Sequence, residues 1–126
     1  MTDGSILKET KHVLGLGADY TPFDQDVILH INSIFGVLHQ LGVGPEEPFY
    51  IQDDSVKWSS FVQGSNQINM VKTYMYLRVR LLFDPPTTSF AIKAMEDQIR
   101  EFEYRLNAIR EETKWQDPFV KVEVVP

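Results

Sequence analysis

Two adjacent prolines, Pro85 and Pro86, stand between two long stretches of helical apolar spacing. Proline fixes its own φ, donates no backbone hydrogen bond and pushes the preceding residue out of helical geometry. The stretch TYMYLRVRLLFD therefore ends as a helix at Phe83 or Asp84, and the chain must turn there. Thr87 or Thr88 restarts it. The next helix carries Ile92, Met95, Ile99, Phe102, Leu106 and Ile109 at alternating steps of three and four, a seam that faces another helix. Two helices joined by so short a link pack antiparallel. The hairpin commits the chain to an all-α architecture, and the remaining segments are fitted around it.

Two earlier helices can be read. The first spans about Ser5 to Leu14 and stops at Gly15 and Gly17. The second has Thr21 as N-cap, Pro22 at its first position and Asp24 near the positive end of the helix dipole, followed by Val27, Ile31, Ile34, Leu38 and Leu41. Gly42 and Gly44-Pro45 end it, and Ser65 is the expected cap of the helix that leads to the prolines. Between Pro45 and Gly64 the signals are mixed: Phe49-Tyr50-Ile51 reads as a short strand, and Asp54 caps a single turn that puts Trp58, Phe61 and Val62 on one side. After Pro118, Val120, Val122 and Val124 alternate with Lys121 and Glu123, a strand pattern. The expectation is a small four-helix bundle over residues 1–110, with a loop/strand excursion between helices two and three and an extended C-terminal β-type arm over 111–126.

The two arginines ahead of the prolines differ. Arg80 falls on the polar face with Asn69, Lys72 and Thr73, whereas Arg78 falls among Val71, Tyr74, Leu81 and Leu82. Desolvating a guanidinium costs several kcal/mol unless it is paired. An antiparallel hairpin about the prolines sets position 78 level with 94–96, so Glu96 is the expected partner, within one subunit or across an interface. The alternative is a stem packed in the core with its head reaching back to water.

Composition excludes several functions. The chain has no cysteine, which removes disulfides and thiolate metal sites, and its N-terminus has neither the basic nor the apolar region of a secretion signal. Of a net charge of −6, all lies in residues 1–60, where nine acids face three bases. No cluster of Lys and Arg there could neutralise phosphates. His12, His30 and His39 are spaced wrongly for a metal pair, and no phosphate-binding loop, nucleophile elbow or HExxH motif occurs. Acid pairs such as Glu96 and Glu101 have Arg100 and Arg105 beside them, which reads as a solvated helix face. Neither enzyme chemistry nor any metal or cofactor is expected, and no membrane partner.

What remains favours association. Leu29, Ser33, Gly36 and Val37 form a small-residue face of the second helix suited to close approach by another subunit, or else are scattered exposed residues. Phe49, Tyr50, Trp58 and Phe61 are candidate contacts of the excursion. In the arm, Trp115, Phe119, Val120, Val122 and Val124 are the candidate docking residues, since a strand with free backbone groups needs a partner, either another chain or its own bundle. Burying Phe119 and three valines yields roughly 1.5–3 kcal/mol each, against about 1–2 kcal/mol of backbone entropy for each residue ordered. One arm alone binds weakly; many arms on one oligomer bind together.

The segments HINSIFGVLHQLGVGP, KTYMYLRVRLLFDPPTTSF and AMEDQIREFEYRL resemble the head-tail connector, or adaptor, proteins of long-tailed bacteriophages infecting Gram-positive bacteria. The resemblance covers about residues 5–110, and the LLFDPP turn is its most specific part. It implies a helical ring of twelve subunits in the virion neck, assembled in the host cytoplasm beneath the portal protein and extending the DNA channel toward a head-closure or tail-completion protein. DNA would pass through without sequence-specific binding, which suits an acidic balance. The family's portal-reaching arm maps onto Trp115 to Pro126, and the excursion from Glu46 to Gly64 onto a surface for the next ring or a neighbouring subunit. A nucleic-acid-binding DNA-packaging ring protein is the alternative from another class.

Overall fold

Ser5 opens the fold. In the computed structural model, which describes residues 4–61 and 67–122, with side chains to residue 108, the Ser5 hydroxyl accepts from the Lys8 amide at 3.2 Å and caps α1, Ile6–Val13. Helix α2 spans Asp24–Gln40, α3 is the single turn Trp58–Phe61, α4 spans Gln67–Phe83 and α5 spans Ser89–Val122. Both α1 and α2 end where the sequence places glycine. Gly15 and Gly42 take positive φ, and the amides of Leu16 and Val43 return to the carbonyls of Lys11 and Leu38, satisfying one orphan carbonyl of each last turn.

The helices alternate in direction. Helix α1 packs on α2, α2 on α4 and α4 on α5. Phe83, at the end of α4, meets Phe23 and His30 at the start of α2, and Tyr76 of α4 reaches Glu9 in α1. Their shared core holds Ile6, Leu7, Val27, Ile31, Ile34, Phe35, Leu38, Val71, Tyr74, Met75 and Val79, and among the described residues α5 adds Ile99 and Leu106. Val27, Ile31, Ile34, Leu38, Ile99 and Leu106 come from the predicted seams, and Val71 and Tyr74 from the apolar arc around Arg78.

The expected β elements are corrected. The only bridge among the described residues joins Ser5 to Lys57, and Phe49-Tyr50-Ile51 forms no strand. Asn32 of α2 takes the place of a strand partner: its Oδ1 accepts from the Ile51 amide at 2.8 Å and its Nδ2 donates to the Ile51 carbonyl at 2.9 Å. A side chain thereby satisfies the backbone that a ladder would have used. The extended arm is also corrected as far as it is described, because α5 continues through Pro118 to Val122; Glu123 to Pro126, including Val124, lie outside the described residues. A helix already nucleated satisfies its backbone within itself, and Pro118 removes one bond from it; a strand with no partner satisfies none.

Smaller departures have causes too. Helix α2 begins at Asp24 instead of Pro22, and Thr21 does not cap it: the Thr21 carbonyl closes a turn with the Asp24 amide, and Phe23 is the N-cap residue without a side-chain bond. At the α4–α5 corner the Thr88 hydroxyl accepts from the Ala91 amide at 3.1 Å, so Thr88 is the restart. The expected Ser65 cap lies outside the described residues, as does Val62.

Candidate assembly surface

Three polar clusters lock the helices and so decide which faces remain for partners. In the first, Arg78 Nη1 donates to Glu103 Oε2 and to the Tyr74 hydroxyl, both at 2.9 Å, and that hydroxyl donates to the same carboxylate at 2.7 Å. The guanidinium also lies 5.7 Å from the centre of the Tyr74 ring. The expected Arg78–Glu96 pair is therefore replaced by Arg78–Glu103, and Glu96 is exposed. Helical side chains lean toward their own N-terminus. In an antiparallel hairpin Arg78 leans away from the corner and Glu103 toward it, so they meet beyond the level that Cα counting gives. Burial and the Glu103 bond both push the Tyr74 hydroxyl well above its ordinary pKa.

The second cluster was invisible as such in the sequence. Lys11 is buried, its ammonium 2.8 Å from Asp24 Oδ1 and 3.1 Å from the Ala18 carbonyl. One signal could have found it: Ile6, Leu7, Thr10 and Lys11 share the inner face of α1. The carboxylate sits in the first turn of α2, where the helix dipole also favours it. Lys11 thus clips the loop after α1 to the head of α2. In the third cluster, Glu9 receives Lys72 at 3.2 Å and the Tyr76 hydroxyl at 3.3 Å. Burial, then the Glu9 charge, raises the Tyr76 pKa.

The predicted contact residues separate into buried and open sets. Trp58 and Phe61 are buried and Phe49 half-buried, all stacked on Phe35 with ring centres 4.7–5.9 Å away. They hold the excursion on the bundle, and of the four only Tyr50, 61% exposed, presents a ring to solvent. Around it Glu46, Glu47, Asp53 and Asp54 are exposed, so this end is acidic. On α2, Leu29, Ser33 and Gly36 are open and Val37 is half-buried; a Cβ built on Gly36 would meet nothing within 4 Å. Of the arm residues, Trp115, Phe119, Val120 and Val122 lie on the last turns of α5.

Sequence reasoning missed the exposed aromatics elsewhere. Phe90 is 85% exposed and Tyr104 75%, on the side of α5 turned from α4. Tyr20, Phe23 and Leu82 are also open. They join Phe90 at the end of the bundle formed by the α1–α2 loop and the α4–α5 corner, opposite the acidic excursion. A large apolar residue in a sequence gives no sign of whether its helix face will be covered.

No group of three or more potential ligands that could hold a metal occurs among the described residues, and no helix there is long and apolar enough to cross a membrane. Compared with known proteins, the chain matches the family model described as phage connector protein over residues 6–113. No curated protein and no solved structure matches it.

Proposed function

The chain belongs to the phage connector protein family, and from that premise we propose that it is a head-tail adaptor of a long-tailed phage infecting a Gram-positive host. Twelve copies form a ring beneath the portal protein, carry the DNA channel onward and seat a head-closure or tail-completion protein. Membership of this family makes it a virion structural component and not an enzyme. The observation that carries the reading is the family match across 6–113, which spans α1 to α4 and α5 as far as residue 113.

The two ends of the bundle then have different partners. Helix α5 has twice the described length of α4, 34 residues against 17, and its last turns reach past the Gln67 end of α4 on the side of the acidic excursion. The portal-docking segment is this one, with Trp115, Phe119 and Val122 at i, i+4 and i+7, the anchor spacing of a helix laid in a groove. Val120 and Val124 complete it. The opposite end, with Tyr20, Phe23 and Leu82, faces the tail side. DNA slides through a channel whose walls draw on an acidic chain and offers no phosphate-neutralising grip.

The test mixes purified portal with the full chain and with a chain ended after Asp117, followed by sizing. The full chain co-elutes with portal and the shortened chain, still folded, does not. Intact binding by the shortened chain removes the docking segment from this reading. Salt-sensitive DNA binding by the isolated protein would instead favour a packaging protein.

A further inference from the structure

We propose that the outward face of α5 in one copy packs, in parallel, against the open face of α2 in the next copy. The pairing presupposes the ring proposed above and adds which faces close it. Helices α2 and α5 lie on either side of α4 and are each antiparallel to it, so they run in the same direction. A rotation about an axis along the bundle therefore sets the α5 of one copy beside and parallel to the α2 of its neighbour. Two different patches of one chain in contact make a head-to-tail interface, the kind that closes into rings.

The faces fit in length and shape. Phe90, Ala94, Asp97, Glu101, Tyr104 and Ala108 recur at helical spacing along the exposed side of α5. Phe90 and Tyr104 stand fourteen residues apart, about 21 Å along the axis, the same span as Asp26 to Gln40 on α2. With the two helix starts level, Phe90 meets the turn of Asp26 and Leu29, Asp97 lies at Ser33, and Tyr104 comes down beside Gly36 and Gln40. The large groups of one face fall at the ends of the other and the open glycine lies under a ring.

Charge does not oppose the contact. Asp97 is paired with Lys93 and Arg100, and Glu101 with Arg105, so covering this face strands no lone charge. The Ser33 hydroxyl can donate to the carboxylates between the aromatics. Area sets the strength: burying two aromatics removes roughly 300–500 Å², short of the ~800 Å² per partner of a stable pair. Such a contact is weak between two copies and persistent when each copy is held by two neighbours. A partner of another kind would have no reason to match both faces in length and direction.

The absence of native cysteine makes the test clean. Leu29→Cys and Ala94→Cys replace exposed residues at facing levels and leave the aromatics in place. Oxidised protein carrying both substitutions should run as a ladder on a non-reducing gel, and a mixture of the two single variants should stop at a dimer. Adding Phe90→Asp and Tyr104→Asp to the double variant should abolish the ladder while the melting curve shows a folded chain. If an amine cross-linker yields a ladder from the unmodified protein and the double variant yields none on oxidation, the faces are wrong and the ring stands. A dimer as abundant from either single variant alone indicates a symmetric contact and also overturns the pairing. Failure of both reagents to give any multimer, with and without portal, overturns the ring and the pairing together.

Discussion

At the residue scale, Arg78 had a legible problem and an illegible solution. Periodicity alone placed a guanidinium in an apolar arc; it could not set the level at which α5 passes, because that depends on how side chains lean and how far the corner extends. Glu103→Gln should cost about 1–3 kcal/mol in chemical denaturation, since Arg78 and the Tyr74 hydroxyl exchange a shared carboxylate for a single neutral amide oxygen. Glu96→Gln, on an exposed site, should stay within about 0.5 kcal/mol. Equal effects would remove the assignment. The tyrosines give a pH signature. Their folded pKa values are raised above the ordinary value of about 10, so the protonated hydroxyl favours the fold. Stability is full below that value and falls as pH rises above it, when the unfolded chain ionises and the folded one does not. Tyr76→Phe should lessen this alkaline loss by about one proton per molecule, read as a shallower slope of unfolding free energy above pH ~10. An unchanged slope contradicts it.

Among the elements, those carried by apolar spacing and punctuation were legible: α1 from about Ser5, the glycine stops at Gly15 and Gly42, and the long helices around Pro85-Pro86. What failed depended on groups distant in sequence. The Phe49–Ile51 stretch has strand composition, yet Asn32, nineteen residues before Ile51, meets its backbone first. Val120, Val122 and Val124 alternate like a strand, but α5 arrives at Trp115 already helical and propagation outweighs preference. The excursion is held from below by Phe35 and closed from above by Gly44, which has a φ of +95° and whose missing Cβ would lie 2.5 Å from Phe61 Cε1. Gly44→Ala should therefore destabilise by more than about 1 kcal/mol and loosen Ile51 and Trp58 in hydrogen exchange before α4. A neutral result would mean the excursion is free to shift.

For the whole molecule, the core among the described residues reaches Leu106 on α5. Leu106 is its last buried residue among those described, so a chain ended after residue 110 should melt within about 4 °C of the full chain, the shift expected for less than 1 kcal/mol in a small domain. A larger drop would make the C-terminal turns part of the bundle. The assembly role was legible only as an absence of chemistry plus likeness to a family; the open aromatics Phe90 and Tyr104 needed coordinates. The polarity of the bundle reaches further than any single contact. With rings of Tyr and Phe crowded at one pole and the carboxylates of the excursion exposed at the other, the subunit has a head and a foot. Stacked parts of this kind cannot be fitted upside down, so the order in which a larger object is built can be written into its smallest piece.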